Sequence, residues 1–196
     1  MSEVAGFYER HWARFDQERS RVLVEASDID WLTSGLGPKA RVLDVGCGMG
    51  EPIARDLLAR GFDVTGVDMS ASMIALCRKR FPFATWIEAD MRSLDLVQEF
   101  EGVIAWDSFF HLSRNDQRAT IPVLARHVSA SGRLVFTSAP ADSERINPLW
   151  GEPLYHASLA PEEYRARLAA ESFDDIAFRP EDAAVGGRSV WRARRR

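Results

Sequence analysis

Short β-branched apolar runs alternate with helix-patterned stretches along most of the chain, and this alternation limits the fold more than any other feature. Residues 41–45 (RVLDV), 63–67 (DVTGV), 84–88 (ATWIE), 102–106 (GVIAW) and 132–137 (GRLVFT) read as strands. Residues 51–60 read as a helix with Pro52 in its first turn and Gly61 as its stop. Ser70 caps a helix running to about Arg80, and Pro82 follows. A longer helix starts at Ser113 or Asn115 and runs to about Val128, with Pro122 an oddity inside it. Strands alternating with helices imply βαβ units and a parallel sheet covered on both faces. The pattern changes after Thr137. Residues 138–158, rich in Pro, Ser and Gly, read as a loop excursion, and residues 161–172 as a helix with Pro161 at its first position. Residues 175–179 and 187–192 read as two strands with no helix between them, so they should pair antiparallel. The first 34 residues carry Phe7, Tyr8, Trp12, Phe15 and Trp31 and read as one or two helices packed on the domain.

Composition narrows the classes of function. A chain of 196 residues, 46% hydrophobic, suits one folded domain with a short extension. The net charge of −4 argues against a binder that works by neutralising phosphates. The local exception is the basic end Arg192, Arg194, Arg195 and Arg196, which reads as a solvated, frayed tail. Two cysteines, Cys47 and Cys77, are too few for a disulfide framework, and no residue spacing suggests a metal site. No apolar run approaches the roughly 20 residues that span a bilayer, and the N-terminus lacks a signal-peptide pattern. The expectation is a cytoplasmic protein with no membrane and no nucleic-acid partner, either monomer or homodimer.

The most informative segment is Val42-Leu43-Asp44-Val45-Gly46-Cys47-Gly48-Met49-Gly50, between an expected strand and an expected helix. Glycines there permit a tight turn and close backbone approach to a ligand, and the helix start offers free N–H groups. Asp68 ends the second strand at a spacing that suits an acid accepting hydrogen bonds from ribose hydroxyls. Either a dinucleotide or another adenosine-containing cofactor fits this much. Asp44 tilts the choice: an acid before the loop is awkward beside a pyrophosphate and welcome beside a cationic ligand. Asp90 follows the third strand, where a carboxylate suits an exocyclic adenine amine, with Met91 packing on the ring.

VLDVGCGMG, VTGVDMS, WIEADM and GVIAWDSFFHL, in this order and spacing, resemble the class I S-adenosylmethionine-dependent methyltransferases. The resemblance covers about residues 40–137, and the trailing helix and strand pair extend it. It implies an α/β, Rossmann-like, doubly wound sheet of seven strands, mostly parallel with an antiparallel last strand and helices on both faces. It implies S-adenosyl-L-methionine as cofactor, with S-adenosyl-L-homocysteine as product. Gly46, Gly48 and the backbone around Cys47 would line its methionine part, with Asp44 near it. Asp68 would hold the ribose, Met69 would lie against adenine, Asp90 and Met91 would border adenine, and Trp106 would end its strand beside the sulfonium. Residues 1–34 would form a helical lid over a single methyltransferase domain, residues 35–196. The stretch Tyr8…His11…Phe15…Arg19 resembles the lid helix of small-molecule members, in which Tyr8 and Arg19 would close over the cofactor and Arg19 would pair with its carboxylate. The competing view of Phe7, Tyr8, Trp12 and Phe15 is a packing stripe.

Methyl transfer is an in-line displacement, so the expected chemistry lies beyond the carboxyl ends of strands four and five. His111 is the candidate general base, or a hydrogen-bonding group only. Asp107, four residues earlier, is a catalytic or substrate-contacting acid, or a local cap. Phe109, His111, Tyr155 and His156 are candidate acceptor contacts; Tyr155 and His156 also fit a plain surface connection. His11 and His127 show no partner pattern. The function expected is methyl transfer to O, N or S of a small molecule. An NAD-dependent oxidoreductase and a non-catalytic adenosine-cofactor-binding protein are the alternatives. The oxidoreductase would show GxGxxG, whereas Glu51 stands three residues after Gly48.

Overall fold

A computed structural model describes residues 3–196. Residues 1 and 2 of the expected lid lie outside the described residues. Five strands, β1 (Arg41–Val45), β2 (Asp63–Asp68), β3 (Thr85–Glu88), β4 (Phe100–Ala105) and β5 (Val128–Ser138), run parallel in the order 3-2-1-4-5. The sheet continues through β9 (Arg188–Arg195) to β8 (Phe173–Asp182) at the edge. β9 is antiparallel to both neighbours, as two strands joined without a crossover helix require.

The expected helices form α3 (Ile53–Ala59), α4 (Ala71–Arg80), α5 (Arg114–Arg126) and α6 (Pro161–Ala170). Their starts follow local chemistry. Ser70 and Ser113 accept the N–H of Met73 and Asp116, satisfying otherwise unpaired donors of the first turn. Pro52 stands at the N-cap of α3, so that helix begins two residues later than expected.

Alternate strand residues feed the two faces. Leu43, Val45, Val103, Phe136 and Trp191 point toward α5 and α6, where Ile121, Leu124, Tyr164 and Leu168 complete one core. Val42, Val64, Ile104, Val135 and Val190 build the other with Ile29, Leu32, Leu57 and Ile74. The first 34 residues supply two helices, α1 (Glu3–Glu18) and α2 (Ala26–Thr33), and α2 closes the second core. Among the described residues no helix is long and apolar enough to cross a membrane.

Two expectations are corrected. Residues 138–158 are not a loop: they contain a separate antiparallel hairpin, β6 (Ser143–Leu149) and β7 (Glu152–Ser158). Nor is the basic end frayed: through Arg195 it is strand β9, hydrogen-bonded on both sides, and the Arg196 N–H donates to the Ser172 carbonyl. Arg192 pairs with the fully buried Asp28 at 2.8 Å, and Arg195 donates to the carbonyls of Ala125 and Val128. These arginines tie the sheet to α2 and to the end of α5.

Candidate functional site

The glycine loop leaves β1 at Val45, and close approach dictates its residues. Gly46 has φ +76, and a Cβ there would lie 2.3 Å from Cβ of Ser108. Ser108 is held in place by donating to the Val45 carbonyl at 2.7 Å. Gly48, at φ +53, turns its N–H onto the Asp68 carboxylate at 2.9 Å. Asp68 also accepts the N–H of Ser70 at 2.9 Å. The β2 acid thus braces the loop and still borders a cavity. Cys47 and Cys77 both direct their sulfurs at the Gly48 carbonyl, at 3.7 and 3.2 Å. Burial pushes the Cys47 thiol well up, so it packs rather than attacks.

Two adjoining spaces open above the strand ends. The larger, about 650 Å³, is walled by the glycine loop, Asp44, Trp106, Asp107, His111, the hairpin and Arg188. The smaller, about 120 Å³, lies between Asp68, Met69, Met73, Ala89 and Met91. Tyr8, Phe15, Gly46, Gly48, Asp107 and His111 border both.

Asp44 is the most unusual group. It is 3% exposed, faces the larger space and accepts no hydrogen bond from the described residues. Burial, with Asp68 and Glu25 nearby, pushes its pKa up to about 8. A buried carboxyl kept without a partner in a cavity wall suits a cationic ligand. Trp106 adds a second orphan, since its buried indole N–H has no partner among the described residues. A carboxyl for an ammonium, a second acid for hydroxyls and a methionine-lined slot for a flat base fit an aminoacyl nucleoside.

His111 sits on the short 3₁₀ turn after β4. Its Nδ1 lies 2.9 Å from the Tyr155 carbonyl, so Nδ1–H donates to that oxygen and Nε2 is left as the acceptor. Tyr8 Oη is 3.1 Å from Nε2 and therefore donates to it. Burial lowers the His111 pKa to about 4, outweighing the help of the carbonyl. The Tyr8 hydroxyl is raised above its ordinary value by burial first and by Asp107 second. Both rings are neutral near pH 7. The acceptor nitrogen of the imidazole is thus occupied by a residue of α1, and His111 fastens that helix.

Asp107 has φ +49 and carries two arginines. Arg188, the first residue of β9, grips it in a fork at 2.8–3.0 Å. Arg19, just after α1, reaches the same Oδ2 at 3.3 Å through both terminal nitrogens. The tight contact holds the acid, and the long one leaves Arg19 the freer of the two guanidinium groups. No sequence pattern pointed to Arg188, which lies 81 residues from Asp107.

The hairpin and α1 close the cavity from above. Trp150, at the hairpin tip, stacks on Phe7 with ring centroids 5.8 Å apart and donates its N–H to Glu18. Glu152 accepts from Arg10 at 2.5 Å and pairs with His11 at 2.7 Å. Phe7 is buried beneath this clamp, so the aromatic stripe of α1 packs and also encloses.

Three expected residues do not border either space among the described residues. The Phe109 ring is buried in the core against Phe136, at 5.4 Å; the neighbouring Phe110 faces the cavity and stacks on His156. Tyr155 contributes its backbone carbonyl, while its hydroxyl donates outward to Glu144 at 2.8 Å. Asp90 is held by Arg92 at 2.6 Å and caps the turn that starts at Met91. Burial opposes the charge on Asp90, but the hydrogen bonds from Arg92 keep its carboxyl below the usual range. The other expected residues, Tyr8, Arg19, Asp44, Gly46, Cys47, Gly48, Asp68, Met69, Met91, Trp106, Asp107, His111 and His156, border one or both spaces.

Residues 42–132 match the methyltransferase domain family. That match spans the strand–loop–helix segments that carry the resemblance to the class I S-adenosylmethionine-dependent methyltransferases. It is 36% identical over 115 residues to a dTDP-3-amino-3,6-dideoxy-alpha-D-glucopyranose N,N-dimethyltransferase of Streptomyces fradiae, an alignment covering 57% of this chain and 44% of that one. It is 33% identical over 114 residues to a dTDP-3-amino-3,4,6-trideoxy-alpha-D-glucopyranose N,N-dimethyltransferase of Streptomyces venezuelae, covering 57% and 48%. The chain thus spans about half the length of these curated relatives. Among solved structures, the S-adenosylmethionine-bound amino pentose methyltransferase of Micromonospora echinaspora superposes with TM-score 0.73 at 22% identity, over 97% of each chain. That likeness establishes the shared fold. The family match leaves the NAD-dependent reading without support.

Proposed function

We propose that the chain binds S-adenosyl-L-methionine and transfers its methyl group to an O, N or S atom of a small-molecule acceptor. The observation that carries this is Asp44, a buried and unpartnered carboxyl in the same cavity wall as the glycine loop. The bound sulfonium supplies the electrophilic methyl. Asp44 takes the amino end of the cofactor and Asp68 takes the ribose hydroxyls. Met69 and Met91 flank the adenine, and Arg19, with the Trp106 N–H, takes the carboxylate. Asp107 and Arg188 position Arg19.

The chain's part in the chemical step is to align and to exclude water. As a lid, α1 and the hairpin limit the access of water to the reacting atoms. Asp107 serves as an anchor for arginines, and His111 serves as the latch for Tyr8, so neither acts as the base. This suits an acceptor whose nucleophilic atom is already deprotonated or carries a free lone pair. The named activities of the two relatives, N,N-dimethyltransferases of dTDP-linked amino sugars, support a small-molecule acceptor. The buried free thiols Cys47 and Cys77 suit a reducing, cytoplasmic setting.

Calorimetry with S-adenosylhomocysteine tests the reading, with NAD as control. Binding of the homocysteine compound alone, lost in Asp44→Asn and Asp68→Asn, is the expected result. NAD binding without it would overturn the proposal. Mass spectrometry of an acceptor screen with labelled cofactor then identifies the product.

A further inference from the structure

The hairpin β6–β7 presents one face to the cavity, because alternate residues of a strand point the same way. Ser143, Arg145 and Asn147 lie on that face of β6 and border the larger space. Their cross-strand partners on β7 are Ser158, His156 and Leu154. This wall is largely polar, and on β6 it is open to solvent.

Its charges are unevenly matched. Arg19 and Arg188, the other cations of the cavity wall, are both bound to Asp107. Arg145 has no ion pair and no hydrogen bond among the described residues. The hairpin's own acids are used elsewhere. Glu144 faces outward to Arg114 and the Tyr155 hydroxyl, and Glu152 is taken by Arg10 and His11. His156 beside Arg145 is kept neutral, mainly by burial and further by the Arg145 charge. Its Nδ1 lies 3.0 Å from the Leu154 carbonyl. Phe110 stacks on the His156 ring at 5.4 Å, which gives this end of the cavity a flat aromatic surface.

We propose that Arg145, flanked by Asn147 and Ser143, anchors an anionic oxygen group, a carboxylate or a phosphoryl, of the methyl acceptor. A planar guanidinium with neutral donors beside it matches either group in a two-point contact. Glu181, on the opposite wall, is the competing anchor and would favour a cationic acceptor. Its backbone N–H donates to Ser189, the neighbour of Arg188 on β9, whereas Arg145 has no opposing carboxylate on its own face. The inference rests on the methyl-transfer reading for calling the ligand an acceptor, but the anion site stands on its own geometry.

The test uses the whole chain saturated with S-adenosylhomocysteine and four small aromatic probes: benzoate, phenyl phosphate, neutral benzamide and cationic benzylamine. Tryptophan fluorescence reads binding, since Trp106 borders the cavity. One or both anions should bind more tightly than neutral benzamide, and comparing them separates a carboxylate from a phosphoryl preference. Arg145→Gln should weaken the anions by about tenfold or more, the effect of losing a charge-assisted pair. Arg145→Lys should restore part of that affinity. Homocysteine-compound affinity should be unchanged in both variants. Equal binding of both anions and benzamide, or anion binding indifferent to Arg145→Gln, overturns the proposal. So does preferential binding of benzylamine that is lost in Glu181→Gln. Failure of S-adenosylhomocysteine to bind would instead sink the methyl-transfer reading, and the anion titrations on the unliganded chain would still decide Arg145.

Discussion

Asp44 has a consequence for stability because its folded pKa, about 8, lies above its ordinary value of 3.8. In that interval the folded state holds a proton that the unfolded state has released, so stability falls as pH rises. His111 has the opposite sign: lowered from 6.5 to about 4, it makes stability rise with pH over that lower interval. Of these two groups only Asp44 acts between pH 6.5 and 8. Urea unfolding of the cofactor-free protein should show stability falling across that window, by at most about 1.4 kcal/mol per pH unit. Asp44→Asn should flatten the slope, and an unchanged slope would remove Asp44 as its cause. Gly46 belongs to the same scale. A Cβ 2.3 Å from Cβ of Ser108, on a backbone at φ +76, should make Gly46→Ala cost roughly 2 kcal/mol or more. Ser108→Gly should recover part of that cost in the double variant, whereas Ser108→Ala, which keeps the clashing atom, should not. Asp44, Gly46 and Asp68 were legible in the sequence because adjacent strand–loop–helix segments fix their places. Phe109 and Phe110 were not distinguishable, since a single 3₁₀ turn decides which ring enters the core.

At the scale of elements, the β6–β7 hairpin is what local patterns missed. Nearly all of β6 is exposed, so no apolar alternation marks it as a strand. Its tip, Trp150-Gly151, has φ of +54 and +85, and a tryptophan there carries no turn signature of the Asn-Gly kind. Pro148 and Pro153, paired across the ladder, read as loop residues. The hairpin is held by its grip on α1 through Trp150 and Glu152. Removing that grip in Trp150→Ala/Glu152→Ala should speed amide exchange in α1 and β6–β7, while the central strands keep their protection. Hydrogen-exchange mass spectrometry reads this directly. Equal acceleration throughout the sheet would show the hairpin to be part of the main cooperative unit instead of a separate cover.

For the whole molecule, the basic end shows how composition misleads without topology. Four arginines within five residues look solvated, yet β9 runs between β5 and β8 and brings Arg192 onto Asp28, which is fully buried. Arg179 of β8 reaches the same carboxylate at 2.8 Å. Asp28→Asn should therefore cost about 3 kcal/mol, because two partly buried guanidinium groups lose their shared counter-charge. A urea midpoint equal to wild type would show that water replaces the pair without loss.

The sequence alone determined the five parallel strands, the antiparallel close of the sheet, and the glycine loop with Asp44 and Asp68 beside it. Each depends on hydrophobic period, caps or spacing within a short stretch. Only the tertiary structure decided that Arg188 holds Asp107, that Tyr8 occupies the free nitrogen of His111, that Arg92 takes Asp90 out of the cavity wall, and that a hairpin roofs the site. Those pairings join residues from separate elements, or turn on which way one side chain points, and no local periodicity encodes either.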